Sequence, residues 1–497
     1  MPFEPDEFAH DSESLLQDVS GARWAPLFRK TCEFDPQIFS KVMMNLIRNP
    51  NINSSWLFRA DILVEQGPEE HVAADPGLPR PIVIHFKDFH LDKVLVRKLI
   101  PRNTLRDQPL DQTCLVYHGH GPDNIEKSMV VYKPHVSSHS DMPFYHPKVQ
   151  GLAFLHEWSA EKSEGSVSIH YHFFDDEESR SLKLVRTALH LLAMLYKHGE
   201  GTRAGYVKRV QHDTIIPQIT IQTTYTRLKQ KYARQLINTW AEVTDPSKHV
   251  FEDLGIAAFL IELWAQMYST TPFPGFIDIG CGNGLLVYIL RQEGYSGWGF
   301  DARKRKSWDN YSATFQQGAE PKESLQQHVL LPSIVEGYPG IKDDGGDNMA
   351  GIDSTDLIHD GLFPKGTFII SNHADELTPW TPILATLSDC PFIMIPCCSH
   401  DLSGARFRAP VPKQQNKSSS TYSSLVEWIT RIAIDCGWEV ETEMLRIPST
   451  RNIGLTGRRR SKPCSSVDIQ EILTRYGGTE GYATNVMKLA KSAPRGH

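Results

Sequence analysis

The rhythm of apolar and polar positions changes twice along the chain, near residue 80 and near residue 246. Up to about residue 75, short stretches with helical spacing, such as Pro36–Arg48, alternate with Pro- and Asn-rich breaks and match no recognised module. From residue 80 the apolar runs become β-favouring, and they predict strands over 81–86, 113–117, 129–132 and 167–174. Leu182, Val185, Leu189, Leu192, Met194 and Leu195 then recur at helical spacing, which predicts a helix over 180–198. A second helix over 223–243 carries Arg227, Lys229, Lys231 and Arg234, either as a solvated face or as an RNA-facing stripe. Asp245-Pro246 marks a boundary.

Beyond that boundary, helix and strand alternate. Helices are expected over 253–268, from 284 onward and over 424–435, with strands over 275–279, 297–301, 366–371, 391–395 and 438–445. Repeated β-α units predict a parallel, doubly wound α/β sheet, preceded by an α+β N-terminal region. The expected organisation is an accessory region over 1–245, a catalytic domain over 246–457 and a basic tail over 458–497. Two Gly/Asp- or Pro/Ser-rich stretches, 336–356 and 408–420, are expected to be flexible insertions.

Composition narrows the classes. A formal charge of -7 gives no global footprint for nucleic acid, so any RNA contact must be a local patch. The eight cysteines show no CxxC pair, which argues against a disulfide scaffold and a structural zinc site and fits reduced thiols in the cytoplasm or nucleus. The acidic N-terminus is unlike a secretory or mitochondrial leader. No stretch approaches the roughly 20 apolar residues of a membrane span, so no membrane partner is expected.

The chemistry concentrates in 278–301. A strand ending in Asp278 runs into Gly280, Gly282, Asn283 and Gly284, a G-x-G-x-G turn in which the backbone must approach a ligand closely. A dinucleotide loop would read G-x-G-x-x-G, and an acid before the first glycine repels phosphate. That acid suits a cofactor with an amino group and a sulfonium, S-adenosyl-L-methionine. Asp301, at the end of the next strand, is placed to accept the ribose hydroxyls of a nucleoside cofactor, a feature that methyltransferases and NAD enzymes share.

Read on through Leu285 to Tyr288 and from Gly294 to Trp308, this segment resembles the central signature of the eukaryotic tRNA (uracil-2′-O)-methyltransferases that modify uridine 44 of serine tRNA. The run Ser371-Asn372-His373-Ala374-Asp375-Glu376-Leu377-Thr378-Pro379-Trp380 is similar to a second family segment, as are 100–103, 208–213 and 251–258. The likeness spans roughly residues 80 to 460. It implies a class I S-adenosylmethionine-dependent methyltransferase fold, tRNA as partner and a cytoplasmic location. Some animal members add a C-terminal Cys/His zinc-finger segment, whose spacing is absent here, so no metal is implied.

Methylating a ribose hydroxyl needs a proton acceptor or a cation for the forming alkoxide, and in-line placement. Asn372, His373, Asp375 and Glu376 follow a predicted strand, at the sheet edge where doubly wound folds bind ligands. Asp375 or Glu376 is the expected proton acceptor, and Asn372 or His373 the expected pocket wall. Alternatively, either acid simply caps the next helix, and His373 is a structural residue. Arg303, Lys304, Arg305 and Lys306 would border the cleft and hold tRNA phosphates, with Lys306 also a candidate alkoxide stabiliser. Trp308 and Trp380 either stack on a base or belong to the core, and Arg458-Arg459-Arg460 extends the basic surface. Two rival functions stay open: pyrimidine C5 methylation with Cys397, in Ile395-Pro396-Cys397-Cys398, as nucleophile, and a non-catalytic RNA-binding role.

Overall fold

The computed structural model describes residues 3–67, 77–102, 106–174, 181–205, 212–317, 320–335, 357–410 and 420–491. The insertion expected over 336–356 lies outside them, as does 411–419 of the second. The chain divides into two compact units, Met1–Lys208 and Arg209–His497.

The first unit is an antiparallel sheet with two helices. In chain order it has β1 (Asp6–Glu7), β2 (Ala25–Cys32), α1 (Pro36–Arg48), β3 (Leu57–Gln66), β4 (Phe89–Pro101), β5 (Leu110–His120), β6 (Glu126–Pro134), β7 (Gly151–Ser159), β8 (Glu164–His172) and α2 (Leu182–Arg203). The strands are ordered β1-β2-β8-β7-β6-β5-β4-β3. Period-two alternation sorts them: Cys114, Val116, Val130 and Tyr132 pack on one face against Phe39, Val42 and Leu46 of α1 and Leu192 and Leu195 of α2. Leu115, Tyr117, Met129 and Val131 fill the other face with Trp24 and Phe86. The strand expected over 81–86 does not form. Within it only Phe86 makes a ladder contact, an isolated bridge to Asp18. Phe86 lies against the second face, so its apolar character reflects burial on the sheet rather than pairing within it.

The second unit begins earlier than the Asp245-Pro246 signal. Helix α3 (Gln218–Asn238) packs through Leu228, Tyr232 and Leu236 against α4 (Pro246–Met267). Asp245 is instead the cap of α4, its Oδ1 accepting the Ser247 N–H at 2.9 Å. There follow β9 (Phe276–Ile279), α5 (Leu285–Gln292), β10 (Gly297–Asp301), α6 (Trp308–Tyr311), β11 (Thr314–Gln317), β12 (Glu320–Glu323), β13 (Leu325–Gln327), β14 (Val329–Leu330), β15 (Ile358–His359), β16 (Phe368–Asn372), α7 (Thr381–Ser388), β17 (Phe392–Ile395), α8 (Thr421–Asp435), β18 (Trp438–Met444), β19 (Ile453–Arg460), α9 (Ile469–Arg475) and α10 (Tyr482–Lys491).

Seven of these strands make one sheet in the order β13-β10-β9-β16-β17-β19-β18. The first five run parallel, and β19 is antiparallel to both of its neighbours. Alternate residues face opposite layers. Phe276, Phe368, Ile370, Ile393 and Ile395 meet α3, α4 and α5, while Ile277, Ile279, Ile369, Phe392 and Met394 meet α7, α8, α9 and α10. The strand order reverses between β9 and β16, which opens a crevice at their carboxyl ends.

Residues 458–491 of the expected basic tail are structured. Residues 458–460 close β19, and Ile472, Leu473, Tyr482 and Val486 of α9 and α10 are buried in the core. The three arginines are engaged at home: Arg458 and Arg459 bond Glu441, at 2.6 and 3.3 Å, and Arg460 donates to the carbonyls of Cys436 and Lys462. On α3, Arg227 and Lys231 pair with Glu293, which favours the solvated-face alternative for those two. No described helix is long and apolar enough to cross a membrane.

Candidate active site

The crevice holds a cavity of about 810 Å³, ample for a nucleoside-sized ligand. The turn after β9 forms its floor. The Gly280 and Cys281 N–H groups donate to the Phe300 carbonyl at 2.8 and 2.9 Å, tying the turn to β10. Gly282, at φ +53°, would point a Cβ into open space, so its backbone is bare to a ligand. Gly284 serves differently. It stands at φ +76° at the start of α5, where a Cβ would lie 2.4 Å from Leu325 Cδ1, and it does not line the cavity. Asn283 lines it and also steadies α5, its Oδ1 accepting the Leu285 N–H at 2.9 Å. Asp301 ends β10 with its carboxylate fixed by two backbone donors, Gly282 N at 3.2 Å and Arg303 N at 3.0 Å.

Acids converge beneath this turn. Asp278 is buried, and two adjacent acids of α4, Glu252 and Asp253, are buried beside it. Burial, then the charges of Asp253 and Asp301, pushes the Asp278 carboxyl well above the usual range. Burial and the neighbouring Glu252 push Asp253 up to about 8, against the hydrogen bond from Asn372. Asp278 Oδ1 and Asn372 Oδ1 are buried without a hydrogen-bond partner. Two orphaned acceptors among crowded carboxyls are the complement of an ammonium group near a second positive centre. The residues present therefore fit S-adenosylmethionine, whose amino acid end carries that pair of charges.

The run after β16 forms the adjoining wall. Asn372 donates to Asp253 Oδ1 at 3.4 Å, and His373 Nε2 lies 3.1 Å from Glu252 Oε1. Burial opposes charge on Glu252, yet His373, with His249 and Lys248, carries its carboxyl below the ordinary value. His373 and Asp375 sit at φ +51° and +45°, a left-handed backbone that non-glycine residues rarely adopt and that concentrates at functional turns. Asp375 and Glu376 stand in the first turn of the short helix Asp375–Leu377, whose cap position is Ala374, so an acid complementing the helix N-terminus stays compatible with the geometry. Burial, then Asp375 and Asp301, lifts the Glu376 carboxyl to about 7 against its own backbone N–H and Arg303.

Arg303, Lys304, Arg305 and Lys306 follow Asp301 along the rim, joined by Arg406 and Arg451. Lys304 pairs with Asp309 at 3.2 Å, both largely exposed, a contact of little energetic weight. Trp308 and Trp380 are core residues, 3% and 0% exposed, with Trp308 Nε1 donating to the Gly282 carbonyl. Tertiary folding thus brings Asp278, Gly280, Gly282, Asn283, Asp301, 303–306, Asn372, His373, Asp375 and Glu376 to one cavity and leaves Gly284 outside it. It adds Glu252, Asp253, Cys398 and Arg451, which sequence reasoning missed. The available signal was the pair Glu252-Asp253 directly ahead of the apolar run from Leu254 to Ile261.

Comparison with known proteins agrees with this division. A family model described as "TRM44-like, N-terminal bet v1-like domain" matches residues 6–209, and one described as "Predicted AdoMet-dependent methyltransferase" matches residues 215–325. The chain is 56% identical to a tRNA (uracil-O(2)-)-methyltransferase of Neurospora crassa, covering 99% of both chains. Proteins of the same name from Schizosaccharomyces pombe and Saccharomyces cerevisiae are 38% and 36% identical, covering 96% and 97% of this chain and 95% of each relative. This chain belongs to the tRNA (uracil-O(2)-)-methyltransferase family. The matched methyltransferase region contains α4, the glycine turn and Asp301, so family membership and cavity geometry point to the same residues. No solved structure matches the chain.

Proposed function

We propose that this protein transfers the methyl group of S-adenosylmethionine to the 2′-hydroxyl of a uridine in tRNA, at position 44 of serine tRNA, in the cytoplasm. The observation that carries the proposal is the buried acid cluster with orphaned acceptors beneath the glycine turn. The sheet order, with β19 alone antiparallel, supports a class I methyltransferase fold. Eight free cysteines suit a reducing compartment.

When bound, S-adenosylmethionine supplies an electrophilic methyl on a sulfonium leaving group. The protein's part is to bind, orient and move a proton. Asp278 and Asp253 hold the ammonium, and Asp301 accepts the ribose hydroxyls. Glu376, poised near neutrality, takes the substrate proton on a carboxylate oxygen. Asn372 and the Glu252–His373 pair fix the wall against which the sugar rests. Lys304 and Lys306, exposed on the rim, take phosphates.

The first unit supplies a further RNA contact. Trp56 and Phe144 are 45% and 51% exposed, with ring centroids 5.6 Å apart. The Arg106 guanidinium lies 5.5 and 5.9 Å from the two rings, and Lys183 Nζ lies 3.9 Å from Phe144. Exposed aromatics interleaved with cations make a stacking platform for unpaired bases.

The C5 alternative is disfavoured at Cys397. The two thiols titrate as one pair, in which the Cys398 thiol and burial push Cys397 up while the hydrogen bond with Cys397 brings Cys398 down to about 7, so the readier thiolate of the motif is Cys398. The deciding experiment supplies labelled S-adenosylmethionine and tRNA lacking the modification, followed by nucleoside digestion and mass spectrometry. The expected product is 2′-O-methyluridine, absent with Asp278→Ala. Recovery of 5-methyluridine would reinstate Cys397 as nucleophile, and cofactor binding without any product would favour a binding role.

A further inference from the structure

We propose that Asp375, Cys397 and Cys398 form a binding site for zinc, or a similarly thiophilic divalent cation, on the wall of the cavity. The sheet register builds it. Asn372 of β16 pairs with Ile395 of β17 in parallel, so the two residues after Pro396 emerge beside the turn that carries Asp375. The Cys397 thiol donates to Asp375 Oδ1 at 3.1 Å, and the three ligand atoms all lie within 4.8 Å of one another. Tetrahedral zinc with bonds of about 2.3 Å to sulfur and about 2.1 Å to oxygen separates its ligands by roughly 3.6–3.8 Å. Small side-chain rotations therefore bring all three onto one ion.

The chemistry of the set is selective. Two thiolates and a carboxylate suit zinc and exclude magnesium, which demands an octahedron of oxygens. The ribose methylation proposed above needs no thiol, so a paired cysteine facing the cavity is otherwise unexplained. Nor is the pair buried packing, since Cys398 is only half-buried and both residues line the cavity. Adjacent cysteines lack the CxxC spacing, and Asp375 lies 22 residues upstream, which is why the chain alone shows no metal motif.

Three protein ligands leave one position open, the pattern of a catalytic rather than a structural zinc. A zinc held by these three residues would act as a Lewis acid toward an alcohol oxygen entering from the cavity.

The test uses the full-length protein purified without chelators. Elemental analysis is expected to find about one zinc per chain, lost in Cys397→Ser/Cys398→Ser and retained in Cys464→Ser, a control outside the cavity. Cobalt substitution is expected to give a thiolate-to-cobalt charge-transfer band that falls by about half in either single Cys→Ser variant, as one of two thiolates is removed. Removing the metal should lower methyl transfer at least about tenfold, restored by added zinc, while S-adenosylmethionine affinity stays within about twofold. Near-stoichiometric zinc in the folded double variant, or none in the wild type after incubation with zinc, would overturn the proposal. Asp278→Asn, expected to lose cofactor binding while keeping zinc, separates failure of this site from failure of the methyltransferase reading.

Discussion

The floor and the rim of the cavity are opposites. The floor takes Glu252, Asp253 and Asp278 out of water, and while His373 keeps Glu252 below its ordinary value, the charge of Glu252 raises the cost of ionising Asp253, and Asp253 that of Asp278. The rim strings four cations from Arg303 to Lys306, of which Lys304 and Lys306 are exposed to screening water and Arg303 and Arg305 are half-buried. A cationic cofactor is favoured where charge is expensive, and a polyanionic RNA where charge is cheap and long-ranged. On the proposed reading, electrostatic depth, more than shape, separates the two ligands.

That contrast breaks most visibly at Asp278. Asp278→Asn removes a buried carboxyl whose opposite charge is the ligand, at about 3–5 kcal/mol, or at least about a hundredfold in cofactor affinity. The same change relieves crowding, so the melting temperature of the cofactor-free protein is expected to hold or rise. Calorimetric titration and a thermal melt read the two signs separately, and a fall in both would show that Asp278 is merely structural.

The floor should also respond to pH. Asp253 ionises near 8 in the folded chain and near 3.8 unfolded, so the folded state binds more protons between those values. Its contribution therefore lowers stability as pH rises from about 4 to about 8. Cofactor binding has the opposite slope, because a cation selects the ionised acid and expels a proton. Affinity is expected to rise by up to about tenfold per pH unit toward pH 8 and then level off. Asp253→Asn should flatten that profile, and a parallel profile in the variant would dismiss Asp253 as its source.

In the first unit, Trp56→Ala with Phe144→Ala should weaken tRNA binding about tenfold, in line with about 1–3 kcal/mol per stacked base. Cofactor affinity should not change. A gel-shift titration that shows unaltered tRNA affinity would remove this surface from the proposal. The rim gives the smallest effect at one salt concentration. Lys304→Ala with Lys306→Ala should weaken tRNA binding a few-fold and lower the salt slope by nearly two, about 0.7–0.9 for each phosphate that is no longer neutralised. An unchanged slope would mean that those lysines face only solvent.

Local pattern carried most elements of the second unit and some of the first. The strand over 297–301 and the helix Pro36–Arg48 are where periodicity places them, because both have flanking turn or cap residues that fix their ends. Pattern failed where tertiary burial mimicked it. Of the apolar residues of 81–86, Phe86 and Ile84 pack on a sheet face with a single isolated bridge while Ile82 and Val83 are exposed, and Asp245-Pro246 caps a helix inside a unit rather than separating two. The charge run 458–460 was expected to extend a basic surface, yet it ends a strand inside the sheet, with Arg458 and Arg459 bonded to Glu441 and Arg460 to backbone carbonyls.

For the site, the sequence by itself determined the glycine turn, Asp278, Asp301 and the run from Asn372 to Glu376, since each is a local motif in which backbone conformation and ligand chemistry are encoded by neighbouring residues. Only the tertiary structure decided that Glu252 and Asp253 join them, that Gly284 serves packing, that the two tryptophans are core, and that Cys397 and Cys398 meet Asp375. Those relations depend on sheet register and on which helix covers which face, and they arise from long-range packing that no local spacing records.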